Sequence, residues 1–439
     1  MTIRELYKLY LAHPKVSKDT RDNLKGAIYF SIRGERYDGN TFAKAALEKG
    51  AAYAVVDDLS VVDPDDSRYI HVANALDTLQ ELAAYHRSQF QGTVIAITGS
   101  NGKTTTKELM ARVLERKYTV SATPGNYNNH IGIPLMLLQT DVHTEFVIVE
   151  MGASRIGDIA SYCQIARPDY GLITNVGQAH LETFGGEEGV RQGKGELFSY
   201  ISNNGKQVFI CADESHLQQM ARNREVSKPV LYGESDLPVE TPNHFHAHLL
   251  QSESEIMFEV TKKDHNSVLF SSSLQGLYNF RNILSAVAVG YYFDVPIQEM
   301  KVAIRTYIPI SNRSELRKLG TNEYYLDAYN ANPTSMKASL QSFNASRPKN
   351  KVLVIGDMLE LGEYSEKAHQ DVVDYVEQLS GVTEVFLVGE HFMATKTSDH
   401  FQKFLNVEDL KLEWVKREWR NSYIFFKGSR SVKLEKLLD

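Results

Sequence analysis

Short apolar runs alternate with amphipathic, helix-like stretches along almost the whole chain. This alternation is typical of α/β proteins, in which helices cover a largely parallel sheet. A first series predicts strands at residues 27–32, 51–56 and 68–73, followed by a helix at 75–90. Further series predict strands at 93–98, 145–150, 170–175 and 206–211, and then at 323–328, 351–356, 384–389 and 422–427. The polar stretch 233–275 is less regular and predicts additional β-structure.

The three series divide the chain into three predicted domains, residues 1–88, 89–308 and 309–439. The length of 439 residues agrees with this division, because a domain has about 150 residues on average. The second and third series, with helices between their strands, indicate parallel-sheet domains.

Composition and charge narrow the class of protein. An apolar fraction of 42% and a charged fraction of 23% are ordinary for a globular protein, and they exclude a disordered, collagen-like or disulfide-scaffold chain. Only Cys163 and Cys211 are present, far apart, which favours a reducing, cytoplasmic location. The N-terminus does not resemble a signal peptide, and no apolar run reaches the roughly 18 residues of a membrane span. The net charge of −7 argues against a nucleic-acid partner.

The segment that begins at residue 93 carries the strongest chemical signal, because a predicted strand enters a glycine-rich turn and a helix leaves it. Glycines allow backbone N–H groups to approach phosphate oxygens, and the helix N-terminus adds a positive dipole. Lys103 can neutralise the β- and γ-phosphates, and the Thr104 hydroxyl can join a magnesium shell. The turn is shorter than a standard Walker A loop, which would have a glycine in place of Ile97. The predicted ATP-binding residues of this segment are Gly99, Ser100, Asn101, Gly102, Lys103, Thr104 and Thr105.

Two side chains follow neighbouring strands of the same predicted sheet. Glu150 ends the strand 145–150, and His180 comes shortly after the strand 170–175. Ligands of doubly wound sheets gather at the carboxyl ends of the strands, where a carboxylate can hold magnesium beside bound phosphates. A surface carboxylate is the alternative for Glu150, and a lone histidine is by itself a weak signal.

The turn TGSNGKTTT resembles the phosphate loop of the Mur ligases and of the related folylpolyglutamate synthetases, which are ATP-dependent amide-forming ligases. Segments that resemble further Mur ligase motifs follow in the expected order: GNYNNHIGIPL (125–135), EMGA (150–153), NVGQAHLETFG (175–185), KGE (194–196), DAYNANPTSM (327–336), GDMLELG (356–362) and KGSR (427–430). The resemblance implies an α/β fold of three domains. These are an N-terminal UDP-sugar substrate-binding domain, a central P-loop-type ATP-binding domain and a C-terminal Rossmann-like ligase domain.

The same resemblance implies two magnesium ions, with Thr104, Glu150 and His180 among their ligands. It also implies that Lys194 is carbamylated, so that an anionic oxygen replaces the cation and becomes a metal ligand. An unprotonated lysine is needed for this reaction, and burial or a nearby metal can lower the pKa enough. A solvated lysine on a helix is the plain alternative for Lys194.

Nucleotide contacts are implied in two further places. GLYNFRN (276–282) resembles the family's Gly-x-His-Asn-x-x-Asn segment near the adenine, with Tyr278 in place of the histidine and with Asn279 and Asn282 retained. Helix-capping asparagines are an equal alternative on the sequence alone. From the third domain, the resemblance implies that Arg313 contacts phosphate and Asp327 contacts the ribose hydroxyls.

Substrate contacts are implied in all three domains. DTR (19–21) and SIRGERYDGNTF (31–42) resemble elements that bind uridine diphosphate, which makes Thr20 and Arg21 candidate uracil or diphosphate contacts. Asn128 and Asn129 are placed near the reacting carboxylate or the γ-phosphate. The remaining candidate substrate residues are Asn330 and Asn332, linked to an incoming dipeptide, and Lys427 and Arg430, which follow a strand end.

DAYNANPTSM and GDMLELG resemble most closely the family member that joins D-alanyl-D-alanine to UDP-N-acetylmuramoyl-tripeptide, a cytoplasmic step of peptidoglycan precursor synthesis. The member that adds the third peptide residue would show Asp-Asn-Pro-Arg, and the sequence has no such motif in this domain. The expected enzyme is a monomer that forms an acyl phosphate. Its implied catalytic residues are Lys103, Lys194, His180 and Asn129. Another amide ligase of the family and a nucleotide-controlled switch protein remain as alternatives.

Overall fold

The computed structural model describes residues 1–35, 37–234, 245–261, 267–309, 312–346 and 350–438. Residues 235–244 and 262–266 of the predicted β-rich stretch lie outside the described residues, as does Arg36 of the motif 31–42. Among the helices that the structure describes, none is long and apolar enough to cross a membrane.

The N-terminal unit is a small parallel sheet flanked by helices. Its elements are α1 (Ile3–Ala12), β1 (Val16–Ser17), β2 (Ile28–Phe30), β3 (Arg33–Gly34), β4 (Tyr37–Asp38), α2 (Ala43–Glu48), β5 (Tyr53–Val56), β6 (Tyr69–His71) and α3 (Ala75–Arg87). The sheet order is β1-β2-β5-β6, and β3 pairs with β4 as a hairpin. Helix α1 begins with a capping box, in which the Thr2 hydroxyl and the Glu5 carboxylate each accept the other's backbone N–H.

The central unit is built around a large mixed sheet. Its elements are β7 (Thr93–Thr98), α4 (Lys103–Leu114), β8 (Val120–Ala122), α5 (Gly132–Leu137), β9 (Phe146–Glu150), α6 (Asp158–Ala166), β10 (Tyr170–Ile173), α7 (Leu181–Phe184), α8 (Glu187–Asn204), β11 (Gln207–Cys211), α9 (Ser215–Arg222), β12 (Val230–Gly233), β13 (Phe245–Gln251), β14 (Ile256–Thr261), β15 (Val268–Ser272), α10 (Leu277–Tyr292) and α11 (Ile297–Thr306). The order is β15-β14-β13-β12-β11-β10-β7-β9-β8. Strands β8 to β13 run parallel to β7, whereas β14 and β15 add an antiparallel edge.

The C-terminal unit is a second, mostly parallel sheet. Its elements are β16 (Glu315–Leu319), β17 (Asn322–Asp327), α12 (Pro333–Ala345), β18 (Asn350–Gly356), α13 (Ser365–Val376), β19 (Val382–Val388), α14 (Glu390–Met393), β20 (Phe401–Phe404), α15 (Val407–Trp414) and β21 (Ser422–Lys427). The order is β16-β17-β21-β18-β19-β20, with only the β16–β17 pair antiparallel among the described strands.

Helix α3 joins the first unit to the second. It packs against α1 on one side and against α5 and α6 on the other. The Tyr7 hydroxyl hydrogen-bonds His86 Nδ1 at 3.1 Å, and His86 Nε2 lies 2.9 Å from the Thr140 carbonyl oxygen. The Tyr10 hydroxyl donates to the Leu138 carbonyl at 2.6 Å. Because one apolar core extends through these contacts, the division near residue 88 stays a prediction, as does the division near residue 308.

The predicted α/β fold class is confirmed, and so are the predicted strands, within two residues at their ends. The predicted helix at 75–90 ends earlier, at Arg87, because Ser88 takes the C-cap position. Helix α12 starts at Pro333, because the Asn332 side chain caps it by accepting the Ser335 N–H at 2.9 Å.

Candidate active site

A cavity of about 970 Å³ is bounded by residues of all three units. The carboxyl ends of β7, β9, β10 and β17 open onto it, as expected for ligand sites of parallel sheets. The hairpin of the N-terminal unit contributes Glu35. The sequence-predicted residues that line the cavity are Ser100, Asn101, Gly102, Lys103, Thr104, Thr105, Asn128, Asn129, Glu150, His180, Asn279, Asn282, Arg313, Asp327, Asn330 and Lys427.

The turn between β7 and α4 depends on two glycines. Gly99 has a φ of +148°, and a Cβ built there would lie 2.0 Å from the Thr174 hydroxyl oxygen. Gly102 has a φ of +79°, and a Cβ there would lie 2.3 Å from Asn282 Oδ1. Neither position can hold a larger residue without moving its neighbours, which explains why this short turn needs both glycines.

Lys103 begins helix α4 and turns back over the loop. Its Nζ donates to the carbonyl oxygens of Gly99 at 2.7 Å and Ser100 at 3.3 Å. Burial lowers the pKa of Lys103, although the charge of Glu150 partly opposes this, and the nearby charge of Arg313 lowers it further. A buried cation in contact with the loop can approach phosphate without a full hydration shell.

Side chains from neighbouring loops hold the turn in place. The Ser100 hydroxyl donates to the Gly177 carbonyl at 3.1 Å, and the Asn101 N–H donates to Asn175 Oδ1 at 3.1 Å. Asn332 of the C-terminal unit donates its Nδ2 to Asn101 Oδ1 at 2.7 Å. The phosphate loop is therefore in direct hydrogen-bonded contact with the C-terminal unit.

Glu150 is only 1% exposed and has one unused oxygen. Asn128 Nδ2 donates to Oε1 at 2.8 Å, while Lys107 Nζ lies 3.8 Å from Oε2. Oε2 is buried without a hydrogen-bond partner among the described residues. Burial of a carboxylate oxygen that accepts no hydrogen bond is costly, and a divalent cation would satisfy it. The donor set therefore fits a magnesium ion at this position.

The described residues contain no cluster of three or more His, Cys, Asp or Glu side chains arranged for a metal. An ion at Glu150 would thus need other ligands, such as phosphate oxygens, water or the Thr104 hydroxyl at the start of α4. This is how magnesium is usually held in nucleotide sites, because it keeps several waters and binds few carboxylates.

His180 lies at the start of α7 in the left-handed conformation, with a φ of +55°. Its Nδ1 contacts the carboxylate of Glu360, which belongs to the loop after β18 in the C-terminal unit. The hydrogen bond to His180 lowers the pKa of Glu360. The contact places an acidic residue, which the sequence analysis did not single out, beside a predicted metal ligand.

Lys194 lies in α8 and is only 1% exposed, so it is not the solvated lysine of the plain alternative. Burial lowers its pKa well below the usual range, and the charge of Lys103 adds to the shift. Its Nζ lies 5.4 Å from the centre of the Phe184 ring. Lys194 is not among the described residues that line the cavity, although it is close enough to Lys103 for their charges to interact.

Lys427 and Arg313 of the C-terminal unit line the cavity, and Arg430 lines a smaller neighbouring cavity. Lys427 is 2% exposed, and its Nζ donates to Asp327 Oδ2 at 2.8 Å, which also accepts from the Ser339 hydroxyl at 2.9 Å. The guanidinium of Arg313 lies 3.4 Å from the centre of the Tyr329 ring, and that of Arg430 lies 5.0 Å from it. Stacking on Tyr329 restricts both arginines and fixes where they present positive charge.

Tyr278, which replaces the expected histidine, connects the central unit to the C-terminal unit. Its buried hydroxyl lies 3.2 Å from the Ser314 hydroxyl and 3.0 Å from that of Tyr325. Burial raises the pKa of Tyr278. Asn282 accepts from the Thr106 hydroxyl at 3.2 Å and donates to Asn279 Oδ1 at 3.2 Å, so both asparagines brace the start of α4.

We expect Tyr278→Phe to lower the free energy of unfolding by about 1–3 kcal/mol, because the hydroxyls of Ser314 and Tyr325 would lose a buried partner. Urea denaturation followed by circular dichroism measures this loss. Tyr127→Phe is the matched control, since Tyr127 is 37% exposed. Equal stability of the two variants would show that the Tyr278 hydroxyl does not stabilise this junction.

The remaining predicted residues have other surroundings. Asn129 Oδ1 accepts the N–H groups of Ile131 and Gly132, which holds the turn that leads into α5. Thr20 and Arg21 are not among the described residues that line the cavity, and the Arg21 guanidinium is bound by Asp19. Sequence analysis also missed Lys107, Tyr329 and Glu360. The last two lie inside motifs that were recognised as a whole, but no pattern distinguished them there.

Comparison with known proteins agrees with this geometry. Residues 97–290 match the family model of the Mur ligase middle domain, and residues 312–421 match that of the "Mur ligase, glutamate ligase domain". A Bacillus subtilis (strain 168) protein is 34% identical over 454 aligned residues, which cover 99% of this chain and 96% of the relative. This chain belongs to the Mur ligase family. The Bacillus relative is named UDP-N-acetylmuramoyl-tripeptide–D-alanyl-D-alanine ligase.

Other Mur ligases extend the comparison. An Escherichia coli (strain K12) protein of the same name is 32% identical, with 96% of this chain and 92% of the relative covered. Crystal structures of MurF from Acinetobacter baumannii and of MurF from Thermotoga maritima in complex with ADP each superpose with a TM-score of 0.84 at 26% identity. The alignments cover 97% and 98% of this chain, and 92% and 97% of the respective structures. The predicted Mur ligase fold is thereby confirmed.

Proposed function

We propose that this Mur ligase uses ATP to join D-alanyl-D-alanine to UDP-N-acetylmuramoyl-tripeptide. The observation that carries the proposal is the shared cavity, in which a phosphate loop, a buried carboxylate with an unused oxygen, and cations of the C-terminal unit meet. The names of the relatives, which align over nearly the full length of the chain, support the choice of substrates.

The proposed reaction has two steps. The terminal carboxylate of the tripeptide attacks the γ-phosphorus of ATP, so that ADP leaves and an acyl phosphate forms. The amine of D-alanyl-D-alanine then attacks the acyl carbon, loses a proton and expels inorganic phosphate. Both reactants of the first step are anions, so the protein must neutralise charge and align the groups.

The chain supplies these requirements from two units. Lys103 and the backbone N–H groups of residues 99–104 would hold the β- and γ-phosphates, and Arg313 would reach the phosphates from the opposite side. Asp327 would bind the ribose hydroxyls. The Asn332–Asn101 contact supports this arrangement, because it holds the C-terminal unit against the phosphate loop at 2.7 Å.

Thr104, Glu150 and His180 are the proposed protein ligands of magnesium, which when bound would neutralise phosphate charge. The unpartnered Oε2 of Glu150 supports this assignment. Asn128 would orient the Glu150 carboxylate, since its amide donates to Oε1. The proposed role of Asn129 shifts toward shaping the loop before α5, because its side chain already accepts two backbone N–H groups there.

We further propose that Lys194 carries a carbamate. Its burial and lowered pKa support this, because only the neutral amine reacts with carbon dioxide. We expect Lys194→Ala to lose activity and to recover part of it when a short carboxylate such as formate or acetate is added. Arg191→Ala on the same helix, where the arginine is exposed, is the control. Full activity of Lys194→Ala without added carboxylate would contradict the carbamate.

Further residues are proposed to contact the two substrates. Thr20 and Arg21 are proposed for the uridine end of the acceptor, Asn330 and Asn332 for the dipeptide, and Arg430 as a further substrate contact. Lys427 is proposed to act through Asp327, because its Nζ is 2.8 Å from that carboxylate. We also propose a monomer with domains 1–88, 89–308 and 309–439. Two buried free cysteines support a reducing, cytoplasmic setting.

Phosphate release tests the function. We expect hydrolysis of ATP to require both UDP-N-acetylmuramoyl-tripeptide and D-alanyl-D-alanine, with the pentapeptide product detected by mass spectrometry. Acceptors with lysine or diaminopimelate as the third residue belong in the same panel. Hydrolysis that is indifferent to both substrates would favour the nucleotide switch, and hydrolysis that requires a different amine would favour another amide ligase.

A further inference from the structure

The pair between His180 and Glu360 joins two units at the edge of the proposed metal site. His180 lines the main cavity, and it also lines a smaller adjoining cavity of about 210 Å³ together with Glu360. Two further contacts join the units here. The Gln178 N–H donates to the Thr334 hydroxyl at 3.0 Å, and helix α7 packs against the turn at Gly362–Tyr364.

We propose that Glu360 is a positioning residue that orients the His180 imidazole for the metal. The geometry gives it this role, because Glu360 contacts Nδ1 and leaves Nε2 as the nitrogen that can face a ligand. Metal-binding histidines commonly donate their other N–H to a carboxylate, which fixes the tautomer and the ring orientation. This inference rests on the proposed function, from which the assignment of His180 as a ligand is taken.

The backbone conformation of both residues indicates that the contact is a defined feature of the fold. His180 and Glu360 both adopt left-handed φ values, +55° and +62°, which residues with a Cβ seldom do. Such conformations persist where surrounding contacts determine them. The left-handed backbone at both positions therefore directs the two side chains toward each other.

The position of Glu360 gives the pair a consequence for the reaction. His180 belongs to the central unit and Glu360 to the C-terminal unit, so the pair exists only while the two units are in contact as in this structure. The orientation of one metal ligand would then depend on the unit proposed to bring the dipeptide. Metal binding and contact between the units would favour each other, because coupling between two binding events is reciprocal.

Mn²⁺ binding to the full chain tests the proposal without using activity. Free Mn²⁺ is measured by electron paramagnetic resonance during titration of the unmodified chain and of Glu360→Ala. We expect the Kd for Mn²⁺ to rise about 10- to 100-fold in Glu360→Ala, the usual cost of losing a partner of a metal ligand. Glu363→Ala is the matched control, since Glu363 is an exposed glutamate three residues away, and its Kd should not change.

Two conservative variants separate orientation from charge. The glutamine side chain in Glu360→Gln can still accept a hydrogen bond from the His180 Nδ1–H. The Kd of this variant for Mn²⁺ should therefore stay near that of the unmodified chain. Asp in Glu360→Asp keeps the charge but is too short to reach the ring, so its Kd should resemble that of Glu360→Ala. Thermal melting checks folding, and the 59% exposure of the Glu360 side chain predicts no loss.

The opposite patterns would overturn the proposal. An unchanged Kd in Glu360→Ala would show that Glu360 does not position a ligand. A Kd in Glu360→Gln as high as that in Glu360→Ala would assign the effect to charge alone. A chain that binds no Mn²⁺ would overturn both the role of Glu360 and the metal assignment. None of these results bears on the substrate-dependent release of phosphate, which tests the proposed function separately.

Discussion

Lys103→Ala is expected to lower turnover about 100- to 1,000-fold, equivalent to about 3–4 kcal/mol of transition-state stabilisation. The first step brings a carboxylate to a triphosphate, and Lys103 is the cation that the loop itself holds, with Nζ 2.7 Å from the Gly99 carbonyl oxygen. A buried cation interacts more strongly with developing charge than one in water. The release of phosphate under saturating substrates measures the effect.

Stability should behave differently from turnover in this variant. Burial lowers the pKa of Lys103, which means that the fold holds this cation at a cost. We therefore expect the melting temperature of Lys103→Ala to stay close to that of the unmodified chain. Arg112→Ala is the control on the same helix, because its side chain is 66% exposed and its ion pair with Glu115 contributes little. Normal turnover in Lys103→Ala would remove Lys103 from the mechanism.

Gly99→Ala is expected to weaken nucleotide binding so strongly that it falls outside the measurable range. The new Cβ would lie 2.0 Å from the Thr174 hydroxyl oxygen, at a φ of +148° that residues with a Cβ rarely adopt. Backbone strain alone costs about 1–3 kcal/mol, and displacement of the neighbouring loop adds to it. We expect the Kd for ADP, measured by isothermal titration calorimetry, to rise at least about 100-fold.

Gly125→Ala provides the matched control for Gly99→Ala. Gly125 also has a positive φ, +51°, and lies in the same unit, but a Cβ there would have no heavy atom within 4 Å. It should bind ADP with nearly unchanged affinity. Tight ADP binding by Gly99→Ala would mean that the turn has room that the structure does not show, and that the nucleotide does not depend on this backbone.

Much of the fold could be predicted because local patterns agree with the tertiary structure. The apolar run 93–98 is fully within β7, and Leu109, Met110, Val113 and Leu114 of α4 are all buried. These elements are internal to the core, where a strand or helix period decides which side chains face inward. The end of the helix predicted at 75–90 was less accurate, since the C-cap at Ser88 ends it early.

Without the resemblance, the candidate site could be predicted mainly where one segment carries its own chemistry. The glycines and Lys103 are adjacent in sequence, so spacing alone indicates a phosphate loop. Tyr329 stacks on Arg313 at 3.4 Å, and Glu360 contacts His180, across long sequence separations. The first contact depends on the pairing of β16 with β17, and the second depends on how two units are placed against each other. No local pattern encodes either arrangement.

The burial of two lysines is a further feature of the site that the sequence could not predict. Lys427 was predicted only as a substrate contact at a strand end, yet it is 2% exposed and paired with Asp327. Lys194 reads as a solvated helix residue, yet it is 1% exposed. Lysine is almost never fully buried without a partner or a function, so burial itself is the informative observation. The sequence alone does not contain it.

Transfer of an oxygen atom from the acceptor carboxylate to phosphate is the most direct test of the central claim, which is that the phosphate loop binds ATP to phosphorylate a carboxylate. The acceptor peptide is labelled with ¹⁸O at its terminal carboxylate, and the phosphate released during synthesis is examined by mass spectrometry. An acyl phosphate requires one carboxylate oxygen to leave with the phosphate, so we expect one ¹⁸O atom in each phosphate formed. Unlabelled phosphate, with the peptide product still formed, would contradict the account.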